Sequence, residues 1–143
     1  GEARRLGFVA DAADARRAVA ACPGCPDCAA GEIPARALAE QALAAASVLL
    51  DGSIDLHISG CAKGCAHPAP ATIGLVGVAD GCDVVLHGVT VARLSPSQAL
   101  HGLALLAQEI AGRRSDPGET AAQALARLGP ARTAGLLRRQ AHV

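Results

Sequence analysis

The chain of 143 residues has no methionine, no tryptophan and no tyrosine, and Phe8 is its one phenylalanine. Without aromatic rings to fill wide gaps, a core must be built from Ala, Val, Leu and Ile in thin, closely packed elements. Net charge is missing too, because 13 Lys and Arg are balanced by 13 Asp and Glu. That balance excludes a global field steering the chain toward nucleic acid or an anionic membrane surface. No apolar run approaches the roughly 20 residues that span a bilayer. The opening GEARRLGFVA lacks the apolar stretch of a signal peptide. The expectation is a cytoplasmic protein with neither nucleic acid nor membrane as partner. An opening that reads as mid-domain, with no starter methionine, points to a fragment of a longer protein.

What is present is apolar residues, at 51%, and six cysteines. The apolar content and length suit one globular domain over residues 1–143. With no export signal, the cysteines favour metal binding or redox work over disulfides. Five of them gather in two loops rich in Gly and Pro. Cys22, Cys25 and Cys28 lie in ACPGCPDCAAG, residues 21–31, and Cys61 and Cys65 lie in HISGCAKGCAHP, residues 57–68. Cys82 stands apart and reads as a small apolar spectator.

Each loop follows a short strand candidate, residues 17–21 and 54–58. Between them, Leu38, Ala42, Ala45 and Leu49 recur at helical spacing, with Pro34 suited to the first turn. Residues 72–79 and 83–89 read as two further strands, and Asp80-Gly81 as the tight turn joining them. Ser95-Pro96-Ser97-Gln98 is a capping box opening a helix with Leu100, Leu103, Ala107 and Ile110 on one face, stopping near Gly112. A shorter helix spans about residues 119–128 and closes at Gly129-Pro130, and a last one carries Leu136 and Leu137. The order predicts an α+β fold, a mixed sheet with flanking helices.

Three ligand sets can be drawn from the cysteines. Paired C-x-x-C knuckles would favour zinc, but only the first loop offers that spacing. A ferredoxin-type run would use Cys22, Cys25 and Cys28, but position 32, where its fourth cysteine would fall, is Glu32. The third set pairs Cys22 with Cys28 and Cys61 with Cys65, and leaves Cys25 over. Gly60 and Gly64 flank the second pair, permitting close backbone approach to inorganic atoms. Amides in such loops can hydrogen-bond sulfur and offset negative charge.

The pattern C-x5-C, 32 residues, C-x3-C resembles the cluster-binding signature of the siroheme-dependent nitrite and sulfite reductase superfamily. Within it, SGCAKGCAHP is most similar to the precorrin-3B synthases. Ile73-Gly74-Leu75-Val76-Gly77, Leu86-His87-Gly88 and the closing ETAAQALARLGPAR resemble that family as well. The resemblance implies a nitrite/sulfite reductase 4Fe-4S domain-like fold and a 4Fe-4S cluster on Cys22, Cys28, Cys61 and Cys65. In the reductases the last cysteine of the pattern, here Cys65, also bridges to siroheme iron. In the synthases the tetrapyrrole is the substrate, precorrin-3A, hydroxylated with molecular oxygen and closed to a lactone through an acetate arm. The resemblance further implies an electron donor linked to NAD(P)H and a second, N-terminal half of the same enzyme. It also implies siroheme or a second iron as a further group of the complete protein. On that reading the fragment is inactive alone. Two features depart from the pattern: Cys25 stands where a small residue such as Ala is usual, and Lys63 where the reductases more often carry Asn.

Lys63, between the ligands of the second loop, is a candidate for stabilising an anionic cluster or meeting a tetrapyrrole carboxylate, against the plain reading of a solvated lysine. His67 is read as a packed or surface histidine, and His57 and His87 as ordinary strand residues. Arg16 and Arg17 lead into the first loop and suit carboxylates, although further Arg pairs at 4–5, 113–114 and 138–139 favour a solvated surface. No glycine motif for phosphate is present, so a nicotinamide would bind elsewhere.

Overall fold

One mixed sheet runs in the order β1-β2-β3-β4-β5, its strands being β1 (Val19–Ala21), β2 (Leu56–Ser59), β3 (Ile73–Val78), β4 (Gly81–Leu86) and β5 (Val89–Leu94). The computed structural model describes residues 1–9, 11, 13–67, 69–113 and 116–139. Pro68 of the second cysteine loop and Arg114 of one Arg pair lie outside these. The first three strands are parallel and the last three antiparallel. The helices are α1 (Glu2–Arg5), α2 (Ala35–Ala46), α3 (Pro96–Arg113), α4 (Ala121–Leu128) and α5 (Pro130–Arg138). The expected α+β architecture with flanking helices is therefore the observed one.

Strand side chains alternate between the two faces of a sheet. Leu56, Ile58, Ile73, Leu75, Val84 and Leu86 form the core face and share one cluster with α2 and α3. The thin-element expectation holds: α2 contributes Leu38, Ala39, Ala42 and Ala46, and α3 contributes Ala99, Gly102, Leu103, Leu106, Ala107 and Ile110. Gly102 is a point of close approach, since a Cβ there would lie 2.4 Å from the Leu137 carbonyl oxygen of α5. One position of the α2 face needs correction. Ala45 is exposed and Ala46 takes its place, because the buried stripe follows i, i+4, i+8 from Leu38 through Ala42.

The expected capping box forms, and α4 has a second one. Ser95 Oγ accepts from the Gln98 amide at 3.2 Å while the Gln98 side chain accepts from Ser95 N at 3.0 Å. Thr120 and Gln123 do the same at α4. The start of α4 is capped a second time from far away in sequence. Asp51 Oδ2 accepts from Ala121 N at 2.8 Å, and Ser53 Oγ accepts from Ala122 N at 2.9 Å. These bonds tie the C-terminal helices to the turn before β2.

The sheet's second half departs from the expected strands. The β3–β4 turn is Ala79-Asp80, and Gly81 already pairs with Val78 as the first residue of β4. Residues 83–89 are not one strand: the chain turns at His87-Gly88 and returns as β5. Both turn residues have positive φ, 48° and 82°, the requirement of the two-residue hairpin that matches strand twist. His87 is therefore a turn residue, not a strand residue. The first strand is also shorter than expected, because residues Ala15–Ala18 form a 3-10 turn capped by Asp14.

Candidate metal centre

Parallel pairing decides where the two cysteine loops lie. Ala21 pairs with Ile58 across β1 and β2, so the chain leaves both strands at the same, carboxyl end of the sheet, level with one another. Cys22 follows β1 directly, its amide donating to the Ile58 carbonyl at 3.4 Å, and Gly60-Cys61 follows β2. The first loop then leads into α2, which carries the chain back for β2. The second loop, residues 60–72, makes the crossover from β2 to parallel β3 with no helix among its described residues. It arches over the sheet face opposite the helical core.

The two loops are bonded to each other. The Gly60 amide donates to Cys22 Sγ at 3.1 Å, and the Glu32 amide donates to the Gly60 carbonyl at 2.7 Å. Inside the first loop Cys28 N donates to Gly24 O at 2.8 Å and Cys25 N to Ile33 O at 3.1 Å. The meeting point is built of glycine because nothing larger fits. A Cβ at Gly60 would lie 2.9 Å from Gly24 Cα and 3.5 Å from Cys22 Sγ. One at Gly31 would lie 2.5 Å from Cys25 N, and one at Gly77 would lie 2.2 Å from the Gly60 oxygen.

All six cysteines are free thiols. Cys22, Cys25, Cys28 and Cys61 are half-buried, Cys65 is exposed and Cys82 is fully buried in the core. Cys22 and Cys28 share the first loop with Cys25, and Cys61 adjoins the Gly60 contact with Cys22. Cys22 and Cys61 thus flank the contact between the two loops, yet among the described residues no group of three or more His, Cys, Asp or Glu is gathered closely enough to hold a metal ion. The donor chemistry, four thiols with an amide already aimed at one sulfur, suits a thiolate-bound centre. Lys63 is exposed on the second loop.

Beneath the second loop, Asp55, Thr72 and His67 form an anchor. Asp55 Oδ1 accepts from the Thr72 amide at 2.8 Å and hydroxyl at 2.9 Å, and Oδ2 meets His67 Nε2 at 3.1 Å. Burial raises the Asp55 pKa, but the Thr72 bonds together with His67 outweigh it and hold the carboxyl below its ordinary range. His67 is half-buried and uses its other nitrogen, Nδ1, against the Ala69 carbonyl. This agrees with a packed histidine.

His57 is not the ordinary strand residue expected. It is 7% exposed, its Nε2 has no hydrogen-bond partner, and its ring lies 5.4 Å from that of His67. Burial first, then the neighbouring His67, push its pKa below the usual value, and Asp55 only partly opposes them. With His67 it lines a recess of about 220 Å³ between the second loop and the sheet. Sequence alone marked only its position before the loop. Its burial depends on the crossover folding back over β2.

Arg16 is committed elsewhere. It forms an ion pair with Asp14 at 2.6 Å, and hydrogen bonds from its side chain and then its amide lower the Asp14 carboxyl to about 2. Among the described residues no helix is long and apolar enough to cross a membrane.

A precorrin-3B synthase from a Sinorhizobium species is 38% identical to this chain over 108 residues, which are 73% of the chain and 24% of that protein. The chain therefore spans about a quarter of the length of the curated relative it matches. No family model matches the chain.

Proposed function

We propose that this chain is the 4Fe-4S-carrying part of a precorrin-3B synthase, an enzyme of cobalamin biosynthesis, with Cys22, Cys28, Cys61 and Cys65 as cluster ligands. The observation that carries the reading is the Gly60 amide bonded to Cys22 Sγ at 3.1 Å. It joins the two cysteine loops through sulfur, and an amide so placed offsets the negative charge of a ligated thiolate. The relative's printed name supports the tetrapyrrole substrate. In the complete enzyme the cluster would supply electrons, from a donor linked to NAD(P)H, to oxygen-dependent hydroxylation and lactone closure on precorrin-3A.

The roles of this chain's own residues follow from their positions. Gly24, Gly31 and Gly60 let the backbones of the two loops pack directly against each other, and the Asp55–Thr72–His67 anchor fixes the far end of the second loop. Cys22 and Cys28 from the first loop and Cys61 and Cys65 from the second would hold the cluster, which would supply one-electron transfer when bound. Lys63, exposed between Cys61 and Cys65, stands free to meet a substrate carboxylate. The second half of the synthase completes the substrate pocket.

Single Ser substitutions test the ligand set in anaerobically prepared protein. Replacing Cys22, Cys28, Cys61 or Cys65 abolishes the broad visible absorption of the cluster, whereas Cys25→Ser retains it. Loss in Cys25→Ser with retention in Cys22→Ser or Cys28→Ser contradicts the assignment.

A further inference from the structure

We propose that His57 and the recess around it form a subsite for one carboxylate-bearing side arm of the macrocycle, with His57 Nε2 donating the hydrogen bond that holds it; only the identity of the macrocycle rests on the function proposed above. His57 sits in β2 on the sheet face opposite the helical core and is 7% exposed, yet its Nε2 bonds to nothing. Buried polar atoms in folded proteins are nearly always bonded, so a lone one beside a cavity marks where a ligand atom belongs. His67 cannot serve instead, because both of its ring nitrogens already face acceptors, the Asp55 carboxylate and the Ala69 carbonyl. Ser59 Oγ is spent on the Cys61 carbonyl.

The recess of about 220 Å³ has walls that are mostly small, including Ala62, Gly64, Ala71, Gly74 and Gly88. These leave room for a group of several heavy atoms against the sheet. Gly64 has φ 64°, and a Cβ there would come within 3.8 Å of His57 Cε1, so the loop backbone itself lies close to the imidazole. The occupant therefore has an apolar stem and one oxygen acceptor. Acetate and propionate arms of a precorrin have that form. Cys61 lines the same recess, which places this subsite beside the second cysteine loop.

The test uses this chain with uroporphyrin, a tetrapyrrole carrying acetate and propionate arms, and a tetracationic pyridyl porphyrin without carboxylates as control. Uroporphyrin binding should shift the His57 imidazole nitrogen resonance. His57→Phe should weaken it about tenfold, or about 1.4 kcal/mol, while His57→Gln, which keeps a donor, stays within about threefold. Affinity for the cationic porphyrin should not change. An unmoved His57 resonance at saturation, equal affinity of His57→Phe and the unsubstituted chain, or no uroporphyrin binding at all overturns the subsite. So does metal binding by the unsubstituted chain that His57→Phe loses, which would make Nε2 a metal ligand. If His57→Phe does not fold, the resonance and His57→Gln still decide. Iron and sulfide assayed on the same preparations separate the two readings. Protein lacking both that binds uroporphyrin through His57 sinks the cluster and keeps the subsite.

Discussion

Gly60 shows how much of the candidate centre depends on one missing side chain. Its φ is not in the left-handed region, so the backbone there suits any residue, and the restriction is purely one of space. Gly60→Ala drives a methyl to within 2.9 Å of Gly24 Cα, where both neighbours are backbone and cannot swing aside. The substitution should cost about 1–3 kcal/mol, seen as a lower thermal midpoint, and should reduce cluster retention. Unchanged stability would mean that the loops do not meet as described. Cys82 is a second single-residue case, read as a spectator and found fully buried. Burial pushes its thiol from an ordinary 9.0 up to about 11. The folded state thus keeps a proton that the unfolded chain releases above about pH 9. This contribution is whole below pH 9 and is lost as pH rises through about 11, amounting to about 2–3 kcal/mol. The thermal midpoint should fall more steeply between pH 9 and 11 for the unsubstituted chain than for Cys82→Ala. Parallel profiles would contradict it.

Elements were legible where a local signal fixes an end. Ser95-Pro96-Ser97-Gln98 announces α3 because the capping box is a four-residue device, and Gly129-Pro130 separates α4 from α5 for the same reason. The β4–β5 hairpin escaped because its turn is His87-Gly88, and histidine is an uncommon carrier of positive φ. Read without that turn, Asp83 to Val89 passes for one strand and β5 disappears. His87→Asn puts a residue better suited to φ 48° in the turn and should raise stability by about 0.5 kcal/mol in chemical denaturation. A loss of stability would show that the His87 side chain does more than occupy the turn. The second cysteine loop was legible by spacing, but its function as the β2–β3 crossover was not. That depends on β3 pairing parallel to β2, a long-range choice that no short stretch encodes.

At the scale of the molecule, parallel strands deliver two separated cysteine motifs to one end of a sheet, and glycines let the loops touch. The family resemblance implies Cys22, Cys28, Cys61 and Cys65 as ligands, and the fold gives their loops a shared hydrogen-bonded boundary while leaving Cys65 exposed. What spacing could not reveal is the other side of the second loop, where His57 is buried with an unpaired nitrogen. Its neighbours there come from β3, β4 and the crossover, far apart in the chain. The central claim, that these four thiols hold an iron–sulfur cluster, is tested most directly by assaying iron, acid-labile sulfide and zinc in the chain purified without oxygen. The account predicts four iron and four sulfide per chain with no stoichiometric zinc. One zinc per chain without sulfide would contradict it.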